Sequence, residues 1–325
     1  MQKETRNQKI QILRGIAIIA VVLIHTCPSG YWQVICRPFI NFAVATFLFL
    51  SGYLTKTENN NWPKFFKKRI LRVILPYIIW TILYSIISKK GLDFTNILKN
   101  TLTAKSACTM YYILVYIQFV LLTPFIGKLA NSKFKSIGWF IAPVFVLIFK
   151  YYPWITGQTL HPIIKLVWGD LCIGWFTFYY LGLLLGNNLI HIKSGIKQIL
   201  TFYVITIFFQ IAEGYWLLQL GENNCGTQIK LSSLLTSSIF IIIAYKYIRD
   251  NTCDYTNNVL ATIGNYSFGI YLSHMMIIKL FSHLHIYKDL PFIINSAVIL
   301  IVSFFFVYCS SKFCNSKINK IFGFE

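Results

Sequence analysis

Acidic side chains are what this chain most lacks. Its 325 residues hold ten Asp and Glu against thirty Lys and Arg, and charged residues make up only 12% of the total. Soluble domains carry about 25%, so half that level excludes an ordinary water-facing surface and points to a bilayer as the main solvent. The hydrophobic share of 56%, the aromatic share of 17% and a mean hydropathy of +0.60 agree with this. Cysteine occurs eight times, with no C-x-x-C and no Cys/His grouping at metal spacing, so no metal site is expected. Cys27 and Cys36 fall in or near the first outer loop, placed to pair in an oxidising compartment; small apolar fillers of buried helices is the favoured reading. Also absent are low-complexity tracts, an internal repeat of the inverted-transporter kind and any connector much longer than about twenty residues. One transmembrane domain over residues 1–325, with no appended soluble domain, is the expected organisation.

A net charge of +20 raises the question of nucleic acid. The basic residues, however, sit in short connectors between apolar runs rather than in one patch, a pattern that anchors a protein beside anionic lipid. No nucleic-acid partner is expected; membrane lipids are.

The apolar runs number about ten, near residues 10–27, 38–55, 72–88, 110–127, 137–150, 169–186, 198–213, 231–248, 259–279 and 291–310, each of a length suited to hydrocarbon. The fold class is therefore an all-α membrane protein of about ten transmembrane helices. The first run is not read as a cleaved signal, since Arg14 follows the basic N-terminus and no A-x-A-like site closes it. With ten spans both termini share a side, and twenty of the thirty Lys and Arg lie on it. The positive-inside rule puts that side, and both termini, in the cytoplasm. Lys89, Lys90, Lys99 and Lys105 make one outer loop an exception.

The first run, "ILRGIAIIAVVLIHTCPSG", carries Arg14 and His25 with no acid nearby in sequence. Eleven residues at 100° each fall about 20° from three full turns, so both side chains leave one helix face, roughly 16 Å apart along the axis. An ionisable group at depth usually faces a bundle interior or a wet cavity. Alone, Arg14 reads equally well as a snorkelling anchor, and His25 as an interfacial histidine; the shared face is what favours function. A second cluster, "FFKKRILRVILPY", places Arg69 and Arg72 on one face at the cytoplasmic boundary, with Lys67 and Lys68 adding positive field. Basic residues before a span are the commonest orientation signal, yet the guanidinium fork also suits phosphate oxygens. Together with Arg14 these residues outline an anion pocket at the mouth of a path ending at a histidine.

The ordered motifs resemble integral-membrane acyltransferase family 3, bacterial proteins that O-acetylate surface polysaccharides. Arg14 and His25 are similar to its Arg-x10-His pattern, "FLFLSGY" (47–53) to F-x-x-S-G-Y, and Arg69 and Arg72 to R-x-x-R. "MYYILVYIQFVLLTPFI" resembles its aromatic fourth span, with Tyr111 where the pattern has Trp. "WFTFYYLGLLLG" and "GNYSFGIYLSHMMII" resemble its later elements. The resemblance covers nearly the whole chain. It implies transfer of an acyl group, most often acetyl from cytoplasmic acetyl-CoA, to a carbohydrate hydroxyl, in a multi-pass protein of the bacterial cytoplasmic membrane. Arg69 and Arg72 would hold the CoA phosphates and Arg14 would position the donor. His25 would act as general base or accept the acyl group transiently, roles that suit an imidazole titrating near neutrality. Asp170 and Glu213 are the acids close enough to hydrocarbon to orient such a base. His274 reads as a satisfied polar group between helices, and His161, His191, His283 and His285 as solvated. Ser51 and Tyr53 read as packing residues beside the close helix approach that Gly52 permits. Readings from other classes are a transporter or flippase of glycan precursors and a non-catalytic scaffold. The concentration of charge at one membrane face leans against transport, and a scaffold leaves the Arg14 and His25 face unexplained.

Overall fold

The computed structural model describes residues 7–59, 61–87, 93–157, 161, 168–248, 255–284 and 290–324. Among them the regular structure is entirely helical. In chain order the helices are α1 (Gln8–Thr26), α2 (Tyr31–Cys36), α3 (Phe42–Tyr53), α4 (Trp62–Ile87), α5 (Phe94–Thr103), α6 (Tyr111–Ala130), α7 (Gly138–Val146) and α8 (Tyr152–Thr156). They continue with α9 (Phe176–Gly186), α10 (Ile196–Gln219), α11 (Leu231–Tyr247), α12 (Tyr255–Asn265), α13 (Ser267–Phe281), α14 (Phe292–Phe313) and α15 (Ser316–Phe322). Six of the described segments are long and apolar enough to cross a bilayer: α1, Tyr31–Tyr53, α4, α6, α10 and α14. Cys172–Gly186, α11 and α13 are apolar but shorter. Phe202, Phe208 and Phe209 on α10, and Ile301 and Phe305 on α14, are exposed. Side chains of that size, exposed in rows, belong in lipid, and the chain is a multi-pass membrane protein.

Local chemistry sets several helix starts. Asn7, Asn61, Asp93 and Asn315 each accept a backbone N–H three residues on, at 3.1, 3.0, 3.2 and 2.9 Å, which satisfies donors a helix leaves orphaned. The stretch expected as a single ninth span, 259–279, is divided at Tyr266, whose φ of −99° and ψ of 5° leave the helical region between α12 and α13. The fifth run passes from α7 to α8 through a π-helical turn, Leu147–Tyr151. Cys27 and Cys36 are free thiols. Lys3, Arg6, Lys89, Lys90, Arg249 and His285 lie outside the described residues.

The chain divides into two compact units. The first comprises residues 1–26, 61–120 and 250–325, and so contains α1, α4, α5, the start of α6 and α12–α15. Within it α1 packs backbone to backbone on α12. A Cβ added at Gly15 would strike the Leu260 carbonyl, and one at Gly264 the Gln11 carbonyl. Small residues are how apolar helices approach closely without a hydrophobic driving force. Gly264→Val is expected to lower stability by about 1–3 kcal/mol, read as a fall in the thermal midpoint of the detergent-solubilised protein. An unchanged midpoint would show that the close approach is not needed.

The second unit, residues 27–60 and 121–249, contains α2, α3, the end of α6 and α7–α11. There α3 packs on α9 in the same manner, with Gly52 against the Tyr179 carbonyl and Gly182 against that of Phe49.

Candidate active site

The expected site residues Arg14, His25, Arg69 and Arg72 all belong to the first unit. α1 carries Arg14 and His25 on one unbroken helix, so the sixteen-ångström axial spacing predicted for them holds. The His25 ring turns inward. It lies with its centroid 5.4 Å from that of His274 on α13, tilted by 49°, and its Nδ1 is 3.7 Å from the Cys108 Sγ.

His274 is fully buried. Its Nδ1 meets the Ile270 carbonyl of its own helix at 3.0 Å. A carbonyl only accepts, so Nδ1 carries the proton, and in the neutral ring Nε2 is a bare lone pair. That Nε2 is buried with no hydrogen-bond partner among the described residues. Buried polar atoms are usually paired, so this lone pair is left available to a donor from the imidazole beside it. The expectation that His274 is a satisfied polar group is therefore corrected: one nitrogen is satisfied and the other is not.

The backbone around His274 is also unusual. The Tyr84 hydroxyl, from α4, donates to the Leu272 carbonyl at 2.7 Å and accepts from the Met276 N–H at 3.1 Å. These two groups would bond each other in a regular helix, so the phenol is inserted into the ladder of α13 at the turn that bears His274. Replacing it with Phe removes both bonds and leaves the shape. Tyr84→Phe is expected to cost about 1–3 kcal/mol of stability and to lower activity through His274. Unaltered thermal midpoint and activity together would contradict this role.

Cys108 is held by the segment that joins α5 to α6. Ala104, at φ 51°, turns the chain at the end of α5. The Ser106 hydroxyl then reaches Thr81 of α4 at 3.4 Å, and the Tyr271 hydroxyl of α13 donates to the Thr109 carbonyl. Met110 beneath is fully buried. Tethers on both sides of Cys108, an exposed residue, hold its sulfur beside His25 Nδ1.

Both α1 and α4 meet α13 near residues 272–276 and run in the same direction past it: for α1 the contacts are Gln11 with Gly264, just before α13, and His25 with His274, and for α4 they are Tyr84 with Leu272 and Ile87 with Lys279. Counting back from that level at 1.5 Å per residue puts Arg14 roughly 16 Å, Arg72 roughly 18 Å and Arg69 roughly 22 Å away. The three arginines thus occupy one end of this unit. Arg69 is half-buried with its guanidinium 5.2 Å from the Phe65 ring centroid, while Arg72, Lys67 and Lys68 are exposed. Arg14 lies within electrostatic range of Tyr112. From there the rings continue, Tyr112 to Tyr271 at 5.4 Å, Tyr271 to His274 at 6.1 Å, and His274 to His25. A line of aromatic and imidazole rings connects the cationic end with the histidines.

The two expected acids lie in the second unit. Asp170 ends a short 3-10 turn and is half-buried. Glu213 is engaged locally: its Oε2 accepts from the Ser232 N–H at 3.1 Å and from the Ser232 hydroxyl, and it acts on the buried Lys230. The Lys230 ammonium, 1% exposed, donates to the Gln210 and Cys225 carbonyls at 3.1 and 3.2 Å. Burial pushes its pKa down to about 8, against the Glu213 carboxylate, which raises it. Glu213→Gln removes the carboxylate whose field offsets the burial of this ammonium, so a loss of stability is expected, with recovery in the Glu213→Gln and Lys230→Met double variant. Thermal melts of the parent and the two variants test it; equal midpoints would refute the coupling. Ser51 Oγ is buried with no hydrogen-bond partner among the described residues, and Tyr53 OH receives a 3.5 Å bond from Tyr245 OH, neither of them a nucleophile with a base beside it. His161, His191 and His283 are exposed. No group of three or more His, Cys, Asp or Glu that would hold a metal occurs among the described residues.

Sequence reasoning did not find Cys108, and it undervalued His274. A family model described as an acyltransferase domain matches residues 7–312. The probable poly-β-1,6-N-acetyl-D-glucosamine export proteins of Staphylococcus aureus strains MSSA476 and MRSA252 are each 25% identical over 288 residues, covering 85% of this chain and 79% of theirs. No solved structure matches the chain.

Proposed function

The chain belongs to the acyltransferase domain family, and from that premise we propose that it transfers acetyl from cytoplasmic acetyl-CoA to a hydroxyl of a surface or lipid-linked glycan, in the bacterial cytoplasmic membrane. It is an acyltransferase and a membrane protein; the donor, the direction and the compartment are the proposal. So are the ten spans with both termini in the cytoplasm, the orientation favoured by the excess of Lys and Arg on that side.

One observation carries the reading. A half-buried imidazole, His25, is turned onto a fully buried one with a bare lone pair, in a unit whose other end holds Arg14, Arg69 and Arg72. Guanidinium groups are suited to the phosphates of CoA, and the pantetheine arm separates those phosphates from the thioester by a distance of the order that separates the arginines from His25. The arginines hold the donor and Arg14 guides its arm. His25, within reach of the acceptor hydroxyl, takes its proton as general base.

The relatives' name favours a second reading, in which the chain takes part in exporting a glycan of N-acetylglucosamine. The two are separable. Membranes containing the protein are expected to release free thiol from acetyl-CoA, and surface glycan from cells with the protein should carry acetyl esters that cells without it lack. Absence of both, with glycan retained inside cells that lack the protein, would replace acetyl transfer by export.

A further inference from the structure

We infer that Cys108 is a covalent acyl carrier: the acetyl group passes from CoA to the Cys108 sulfur and from there to the acceptor hydroxyl. This rests on the reading of the chain as a CoA-dependent acyltransferase and assigns its nucleophile.

Three features of the structure support it. The sulfur lies 3.7 Å from His25 Nδ1 and 4.0 Å from Met275 Sδ, and the residue is exposed, so the thiol is in reach of a base on a side chain that a substrate can approach. It is fixed there by tethers at Ser106 and Thr109. Independently, His274, whose ring centroid lies 5.4 Å from that of His25, has a buried Nε2 with no hydrogen-bond partner among the described residues. For His25 Nδ1 to take the thiol proton it must be the bare nitrogen, which leaves the proton on Nε2. A base in that state needs an acceptor that holds the tautomer. The lone pair on His274 is such an acceptor. The two rings are not yet hydrogen-bonded, and contacts of this kind commonly tighten when substrate binds.

The steps balance without any oxidant or further reactant. His25 Nδ1 takes the Cys108 proton, and the thiolate attacks the acetyl carbonyl of acetyl-CoA. The bond between that carbonyl and the CoA sulfur breaks, and the CoA thiolate takes the proton from His25, leaving acetyl-Cys108. One thioester has replaced another, so this step is nearly isoenergetic. The acceptor hydroxyl then gives its proton to His25 and attacks the acetyl-Cys108 carbonyl. The carbon–sulfur bond breaks, and the Cys108 thiolate recovers the proton. The products are free CoA and a glycan ester, and the thioester-to-ester step runs downhill.

The test uses the purified full-length protein with acetyl-CoA and no acceptor, quenched in acid and digested for peptide mass spectrometry. The peptide bearing Cys108 is expected to gain one acetyl group that neutral hydroxylamine removes. Cys108→Ala should lose acetyl transfer to glycan by about a hundredfold or more, while Cys108→Ser should accumulate a hydroxylamine-resistant oxygen ester. Cys309→Ala, at an exposed cysteine of α14, serves as the control and should remain active. Transfer by Cys108→Ala at an undiminished rate overturns the carrier and leaves His25 acting directly on the acceptor. Loss of activity in Cys108→Ala with no acetyl on Cys108 in the parent also overturns it, since the thiol is then only a packing group. If the parent protein releases no CoA from acetyl-CoA, the donor assignment fails first and the carrier with it. Elution of each variant at the parent position on gel filtration keeps misfolding from passing for any of these results.

Discussion

His25→Ala is expected to abolish acetyl transfer, with a loss of roughly a hundred- to ten-thousand-fold, while the protein still inserts and elutes as the parent does. The range follows from the role. A positioned base lowers the barrier at the transition state, so its removal is read in kcat and leaves the KM for acetyl-CoA close to that of the parent. The fold should tolerate the change, because His25 is half-buried near the last turn of α1 and its neighbours His274 and Cys108 are held by other elements. His25→Gln keeps a polar side chain of similar reach but offers no basic nitrogen, so it should be as inactive as the alanine variant. Thiol release from acetyl-CoA, measured on matched amounts of membrane protein, decides the matter. Parent-level release by both variants would remove His25 from the chemistry.

The spacing of Arg14 and His25 was legible because both lie on one uninterrupted helix, where residue number converts directly into angle and depth. The same holds for Arg69 and Arg72, three apart on α4. The partners of His25 were not legible, for two different reasons. His274 stands in an apolar helix, and a single histidine there reads as a packed core group. Only the Nδ1 bond to Ile270, which commits one nitrogen to its own helix, discloses that the other is left over. Cys108 lies 83 positions from His25 and on a connector, where no periodicity applies. Its location depends on the turn at Ala104 and on tethers to α4 and α13. The two acids were legible as rare charges near hydrocarbon. What sequence withheld was that Glu213 is committed to Ser232 and Lys230, an arrangement set by the packing of α10 on α11. The break at Tyr266 was hidden in an apolar run because no proline marks it, and hydropathy alone does not distinguish one helix from two in series.

The arginines call for a different experimental signature from that of His25. If they hold the donor's phosphates, they act before the chemistry, and their loss should appear in KM for acetyl-CoA rather than in kcat. A hydrogen bond to a charged group contributes about 1.5–3 kcal/mol, and each 1.4 kcal/mol is tenfold in affinity. Arg69→Ala is therefore expected to raise KM for acetyl-CoA by roughly ten- to a hundredfold. Arg72→Ala should do less, since that side chain is exposed and its field is screened by salt. The double variant need not equal the product, because neighbours on one face share a ligand. Arg69→Lys should recover only part of the loss, a point charge being unable to engage two phosphate oxygens through a planar fork. A truncated donor isolates the cause. Acetyl-pantetheine carries the thioester and the arm but no nucleotide phosphates, so the parent and the Arg69→Ala, Arg72→Ala double variant should turn it over equally and poorly, while they differ widely on acetyl-CoA. Equal KM for acetyl-CoA in parent and double variant would show that the arginines only orient the helix in the membrane, and the donor's phosphates would have to be held elsewhere.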